Sequence, residues 1–286
     1  MGTAQIAFVA VLLACILAFF APAVQRSVKA TLHRRRWAIL FLPPTLTVIF
    51  SLAAWSAHAF SVRLTLAVLL YTVLPVVFVA LRQYAIAIAA LWLPVEFAFG
   101  AALVPLQARG FLHAVIYGVA ILLGLILFLC YTGLPGMKFN LPRSARDLWL
   151  PLAAFAITAP VLIGVGMPIG FIPPPHLPVQ PAGRMASAFG IIFAGTALPE
   201  EILFRALIQN LIVQRWGKGW RTLLAASVIF GAAHLDNGPQ PLPNWRYAIL
   251  ATIAGVAYGR VFQLSSSIVS SALLHTLVDW TKHFFF

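Results

Sequence analysis

The stretch Phe111–Leu134 reads FLHAVIYGVAILLGLILFLCYTGL and contains no Asp, Glu, Lys or Arg. A membrane-spanning helix needs about 20 mostly apolar residues, so this stretch is long enough to cross a bilayer. Nine further apolar stretches lie before and after it. Because only helices and closed barrels satisfy their backbone groups in lipid, the sequence predicts an all-α protein, a polytopic transmembrane helical bundle of about 8–10 spans.

The predicted spans cover most of the chain. They are Ala4–Val24, Ala38–Phe60, Leu64–Leu81, Ala85–Gln107, Phe111–Leu134, Leu148–Ile172, Met185–Val213, Thr222–Leu235, Tyr247–Leu264 and Ser267–Phe285. Met185–Val213 is longer than a bilayer requires, so we expect it to tilt, to project into water or to kink at Pro199. Thr222–Leu235 is short for a span, so we expect it to end at a water-filled cavity.

Composition and charge narrow the class of protein. Of the 286 residues, 62% are hydrophobic and 9% are charged, against roughly half and a quarter in an average globular protein. This composition, rich in hydrophobic and poor in charged residues, excludes a soluble enzyme, a disordered chain and a nucleic-acid binder. The basic residues lie mostly between the apolar stretches, where they act as topology signals and predict that both termini face outward. We expect a multi-pass integral membrane protein of a prokaryotic plasma or inner membrane.

The acidic residues are few, and their positions are informative. The chain has six carboxylates, of which Asp147 adjoins Arg146 at a span boundary and is expected to be solvated. Four of the six lie in the last third of the chain, and three of those four lie inside predicted spans. A charged side chain at the centre of a membrane helix costs roughly 2.5–3.5 kcal/mol, and such residues mark functional sites. The last third therefore holds the candidate site.

The first motif is Glu200-Glu201-x-x-x-Arg205. Glu201 and Arg205 are four residues apart, so their side chains meet on one face of a helix and are expected to pair. Glu200 lies about 100° around the helix, outside that pair, and is the candidate for chemistry. The alternative is that all three form a buried ion network that fixes helix packing.

Two further motifs carry histidines. Phe230 lies one turn before His234, and Gly231 between them allows another backbone to come close. His275 and Asp279 are also four residues apart, so Asp279 is placed to accept the ring N–H of His275. Taken alone, each histidine has a structural alternative, as an interface residue or as part of a hydrogen-bonded pair. The remaining histidines are interpreted as interface or loop residues.

A glutamate and two histidines are residue types that activate a water, carry a proton and stabilise a developing negative charge in enzymes. The sequence contains no serine nucleophile signature and no H-E-x-x-H motif, and neither cysteine lies near the three motifs. A metal alternative stays open, in which Glu200, His234 and His275 bind zinc and a water takes the fourth position.

The three motifs in this order resemble those of the CAAX-processing and bacteriocin-processing (CPBP, or Abi) membrane proteases, a family that includes the Ras-converting endopeptidase. The resemblance covers about residues 185–286. It implies that Glu200 is the general base, that His234 holds the water and that His275 donates to the oxyanion. It also implies a supporting role for Glu201 and Arg205.

One position departs from the family pattern. Where the third motif ends in Asn, the amide can donate a hydrogen bond, whereas Asp279 can donate only when it is protonated. Asp279 therefore either acts as a protonated donor beside Glu200 or only orients His275.

We therefore predict a protease core at 147–286, preceded by additional membrane spans at 1–146. The predicted activity is hydrolysis of peptide bonds in membrane-associated substrates, including lipidated proteins or leader peptides. The predicted partners are such a substrate and the lipid bilayer, with no nucleic acid and no cofactor apart from the zinc alternative. Two other functions stay open, a non-catalytic binding or immunity protein of the same fold and a transporter, although no internal repeat supports a transporter.

Overall fold

The computed structural model describes residues 2–96, 99, 103–238 and 241–286. These residues form helices joined by turns and loops, and no strand occurs among them. The predicted all-α class is confirmed. The chain divides into two compact units, Met1–Pro135 and Gly136–Phe286.

The described residues of the first unit form six α-helices. They are α1 (Thr3–Ala18), α2 (Pro22–Arg34), α3 (Leu42–Ser56), α4 (Val62–Ala80), α5 (Tyr84–Leu93) and α6 (Arg109–Gly124). Helices α1 and α2 meet at an angle of 85°, because the chain turns before Pro22, which starts α2. The predicted span Ala4–Val24 therefore ends earlier than expected. Part of the predicted span Ala85–Gln107 lies outside the described residues.

Seven further α-helices lie in the part of the second unit that the structure describes. They are α7 (Arg146–Gly166), α8 (Ala182–Ile192), α9 (Leu198–Glu201), α10 (Asn210–Trp216), α11 (Trp220–Ala232), α12 (Trp245–Leu264) and α13 (Ile268–Phe285). Two π-helical segments, Phe193–Ala197 and Ile202–Gln209, join α8, α9 and α10 into one helical run.

Five helices in the described residues are long and apolar enough to cross a membrane, and six if α1 and α2 count as one bent span. The five are Arg36–Ser56, Val62–Ala80, Leu106–Tyr131, Arg146–Gly166 and Trp245–Leu264. This number is smaller than the number of predicted segments because several of those segments form shorter or more polar helices. Helix α11, for example, has 13 residues, or about 20 Å.

The helix that carries the first motif is not interrupted at Pro199. The ring of Pro199 lacks an N–H, so the normal α-helical hydrogen bond to the preceding turn cannot form there. The backbone widens into the π-helical turn Phe193–Ala197 just before α9 and again into Ile202–Gln209 just after it. Extra residues per turn change the direction in which the following side chains point. A kink at Pro199 was one of three expectations for this segment, and the structure keeps the helical run continuous there, with a π-helical segment on either side of the glutamates.

Helices α11 and α12 pack at close range. A Cβ atom added at Gly231 would lie 1.9 Å from Thr252 Oγ1 and 2.5 Å from the carbonyl oxygen of Ala248. Added Cβ atoms at Gly255 and Gly259 would also come within 3.4 Å of neighbouring atoms. These glycines let the two helices approach, and α11 ends two residues before His234.

The turn between α12 and α13 is held by a buried carboxylate. Asp147 is 1% exposed, so the expectation that it would be solvated is wrong. Its oxygens accept hydrogen bonds from the backbone N–H of Ser266, at 2.7 Å, and from that of Arg143, at 2.9 Å. Lys138 Nζ donates to the carbonyl of Ser265 at 2.7 Å. These contacts explain why residues 136–146 pack with the second unit. The division into additional membrane spans at 1–146 and a protease core at 147–286 stays a prediction.

Candidate active site

The three motifs meet at one cavity of the second unit. Glu200 comes from α9, His234 follows α11, and His275 and Asp279 come from α13. All four side chains line a cavity of about 100 Å³. One water occupies about 30 Å³ of the liquid, so the space is sufficient for a water molecule and part of a substrate.

His275 lies at the centre of the polar cluster and is 3% exposed. Its Nδ1 lies 3.3 Å from Glu201 Oε1. Its Nε2 lies 3.5 Å from Asp279 Oδ2 and 3.8 Å from Glu200 Oε2. Three carboxylates therefore surround one imidazole ring. The expected contact between Asp279 and His275 is present. On the other side of the ring, Glu201 accepts the hydrogen bond from Nδ1 that orients it. The sequence did not indicate this second contact.

Glu201 and Arg205 form the pair that their spacing predicted. Arg205 Nε donates to Glu201 Oε2 at 3.2 Å, and both side chains are fully buried. The guanidinium carbon lies 4.8 Å from the ring centre of Phe230 and 5.9 Å from that of Tyr258. A buried cation gains from an opposing charge and from aromatic faces. Arg205 therefore links the first motif to Phe230 on α11 and to Tyr258 on α12.

The tautomer of His234 follows from its surroundings. His234 Nδ1 lies 2.8 Å from the carbonyl oxygen of Phe230. A carbonyl oxygen can only accept, so Nδ1 carries the proton and Nε2 of the neutral ring is an acceptor. The ring also makes edge contacts with Phe230 and Tyr247, with ring centres 4.7 Å and 4.6 Å apart. This arrangement suits a histidine that accepts a hydrogen bond from a water.

Glu200 differs from Glu201 in exposure. The Glu200 side chain is 22% exposed and that of Glu201 is 0% exposed. Glu200 lines the cavity together with Thr196, which lies one turn earlier. The two adjacent glutamates therefore have different environments, since one faces the cavity and the other lies in the protein interior against Arg205.

The structure adds two residues that sequence reasoning did not assign to the site. The ring of Tyr258 stacks on His275, with ring centres 4.5 Å apart and an interplanar angle of 20°. Lys282 Nζ lies 4.5 Å from the ring centre of Phe171 and 4.6 Å from that of Tyr247, and Lys282 lines the cavity. Its spacing of three residues from Asp279 was a signal that both lie on one helix face.

The rest of the cavity wall is mostly apolar. It is formed by one face of α7, by the residues that follow α7 and by α12. The apolar residues that these elements contribute are Phe155, Ala159, Leu162, Ile163, Phe171, Ile172, Leu250, Ala251 and Ala254, and Phe230, Val278 and Phe286 complete the apolar wall. A polar cluster against an apolar wall is typical of a site that binds an apolar ligand or side chain beside a reacting polar group.

The zinc alternative depends on how closely the candidate ligands are grouped in the structure. In the part of the chain that the structure describes, no three His, Cys, Asp or Glu side chains are grouped so as to hold a metal ion. A metal requirement stays open to a chelator experiment.

The fold and the site define a helical membrane protein with a polar cavity among its apolar helices. The family model described as type II CAAX prenyl endopeptidase Rce1-like matches residues 183–281. The matched range contains all three motifs. It confirms the resemblance for this range: residues 183–281 match an Rce1-like domain, consistent with the CPBP family. This match suggests CAAX-type intramembrane protease activity, and the long apolar helices suggest an integral membrane protein. Comparisons with curated proteins and with solved structures gave no match.

Proposed function

We propose that the protein is an intramembrane endopeptidase in which Glu200 and His234 activate a water. The observation that supports this most directly is that four predicted residues from three separate segments of the chain line one cavity of about 100 Å³. The alternative of an ion network without catalysis fits Glu201 and Arg205, which are fully buried. It fits Glu200 less well, because that side chain is partly exposed in the cavity.

The chemistry follows from the environment of each group. Glu200 takes one proton from the water as the water oxygen attacks the carbonyl carbon of the substrate, and later gives this proton to the leaving nitrogen. His234 Nε2 accepts a hydrogen bond from the other O–H of the water, which keeps its proton, and so orients the water. General acid–base catalysis of this kind contributes about 10²–10⁴-fold to the rate.

The oxyanion requires a donor, and His275 is the candidate. Glu201 at Nδ1, together with Asp279 and Glu200 near Nε2, favours the doubly protonated ring, because nearby carboxylates stabilise a cation. Nε2–H then donates to the developing oxyanion. Asp279 Oδ2 lies 3.5 Å from the same Nε2 and shares this hydrogen with the oxyanion, so Asp279 does not itself need to be a donor. Removal of one such donor costs about 10²–10³-fold in kcat.

The substrate is proposed to be a membrane-associated peptide or protein. The wall formed by α7 and α12 is apolar, and it suits apolar side chains next to the scissile bond or a lipid-modified residue. Prenylated CAAX proteins, which the family description names, and leader peptides are both candidates of this class.

The test uses the full chain in proteoliposomes with a fluorogenic membrane-anchored peptide. Glu200→Gln keeps the shape of the side chain but removes the base, so we expect turnover to fall at least 100-fold while substrate binding is retained. His234→Gln should also lose turnover. His283→Gln is the matched control, because His283 is exposed and does not line the cavity.

Three outcomes separate the candidate functions. Loss of turnover with retained binding supports the protease. Unchanged turnover in Glu200→Gln would contradict the proposed role of this residue. If the wild type shows no turnover and Glu200→Gln binds the substrate as the wild type does, a binding protein is favoured. If Glu200→Gln changes the proton dependence of transport, a transporter is favoured.

A further inference from the structure

A second cavity of the second unit lies away from the candidate active site. It is a groove of about 540 Å³ between the start of α11 and the end of α12, and it shares no lining residue with the first cavity. The residues that line this basic groove are Lys218, Gly219, Trp220, Leu223, Arg260, Gln263 and Leu264. None of the proposed catalytic steps uses it.

The basic groove carries positive charge that no carboxylate in its lining balances. Lys218 and Arg260 form no ion pair with any residue in the described ranges. Arg260 Nη1 donates to Gln263 Oε1 at 3.3 Å. Gln263 Nε2 is buried and makes no hydrogen bond within the described part of the chain. A buried N–H without an acceptor is costly, so the groove contains a donor that a bound anion would satisfy.

A third cation lies near the basic groove. Lys138 Nζ donates to the carbonyls of Phe262, Gln263 and Ser265 at the end of α12. Burial, and after it the charge of Lys218, lowers the pKa of Lys138 to about 8, although Asp147 opposes this change. Lys138 and Lys218 therefore repel each other, and an anion bound in the groove would reduce this repulsion.

The surroundings of the basic groove fit the lipid headgroup region. Trp216 and Trp220 are 68% and 70% exposed, and exposed tryptophans are enriched at membrane–water interfaces. Lys218 follows the predicted span Met185–Val213, and Arg260 lies near the end of the predicted span Tyr247–Leu264. This places both on the side that has most of the basic residues, which the positive-inside rule assigns to the cytoplasm, where anionic lipids are found. Leu223 and Leu264 add an apolar surface to the groove. A phospholipid, with a phosphate next to apolar chains, matches this combination better than a free phosphate ion does.

We propose that the basic groove binds the phosphate of an anionic phospholipid, with Lys218 and Arg260 as cationic contacts and the Gln263 amide as a donor. The ligand would contact both α11 and α12. These helices position His234 and Tyr258, so the lipid would stabilise the helix pair that forms one side of the candidate active site. The proposal concerns binding and does not depend on proteolysis.

The test measures lipid binding by the full chain with native mass spectrometry. The protein is released from vesicles of phosphatidylcholine with added phosphatidylglycerol. We expect one phosphatidylglycerol to be retained in preference to phosphatidylcholine. A cation near the membrane surface contributes about fivefold in affinity, so Lys218→Gln with Arg260→Gln should weaken retention about 30-fold. The conservative pair Lys218→Arg with Arg260→Lys should retain binding within a few-fold.

The matched control removes the same charge elsewhere in the second unit. Arg143 and Arg146 are exposed and do not line the basic groove, so Arg143→Gln with Arg146→Gln should leave retention unchanged. Equal loss in the control and in the groove variant would refute the proposal, because it would indicate general surface charge. A second arm adds inorganic phosphate to vesicles of phosphatidylcholine alone. Equally tight binding of phosphate would show a site for free anions and overturn the assignment to a lipid.

Discussion

Substitution of Glu201 tests the buried pair that anchors the first motif. In Glu201→Gln, Arg205 keeps its charge at a position where its side chain is 0% exposed. Removing one partner of a buried ion pair costs about 3–5 kcal/mol, because the other charge stays uncompensated. The rings of Phe230 and Tyr258 already contact Arg205 in the wild type, so they provide no new compensation. Loss of the hydrogen bond to His275 adds about 1 kcal/mol.

The assay is unfolding of the purified protein in mixed micelles, monitored by tryptophan fluorescence. Glu200→Gln is the matched control, since it changes the adjacent carboxylate, which is 22% exposed, and should cost about 1 kcal/mol or less. The double variant Glu201→Gln with Arg205→Met removes both charges and should recover most of the lost stability. Equal stability of the two single variants, or no recovery in the double variant, would refute the assignment of Glu201 and Arg205 as a structural pair.

Three further predictions concern helix packing, the support of His275 and the metal. Gly231→Ala should destabilise the protein by about 1–3 kcal/mol in the same unfolding assay, because its Cβ would lie 2.5 Å from a backbone carbonyl of α12. Gly183→Ala, where a Cβ meets nothing within 4 Å, should cause no loss. Tyr258→Leu should lower kcat about tenfold with little change in KM, because the ring stacked on His275 is lost, whereas Tyr258→Phe should keep most of the activity. A chelator should leave turnover intact, and a loss that zinc alone restores would support the metal alternative.

The contacts within each motif could be predicted from the sequence. The pairs Glu201–Arg205 and His275–Asp279 are each four residues apart on a helix, and this spacing alone brings their side chains together. The contact of His234 with the carbonyl of Phe230 is likewise local. The apolar length of the segments fixed the all-α class, because a chain in lipid must satisfy its own backbone hydrogen bonds.

Contacts between helices could not be predicted in this way. The hydrogen bond from His275 to Glu201 joins residues 74 positions apart, and the stacking of Tyr258 on His275 depends on how α12 faces α13. These contacts depend on the rotation of each helix about its axis. The π-helical segments on either side of α9 alter this rotation. No residue type in the sequence indicates where such segments occur.

Asp147 shows the same limit outside the candidate site. Its sequence position next to Arg146 indicated a solvated interface residue, but the backbone N–H of Ser266 comes to 2.7 Å from its carboxylate. The sequence by itself determined which residues share a helix face, because the helical repeat is a local property. The tertiary structure alone decided which faces meet, because that depends on the packing of helices distant in sequence. The proposed chemistry depends on the position of Glu200 beside His275, and only the tertiary structure decided that position.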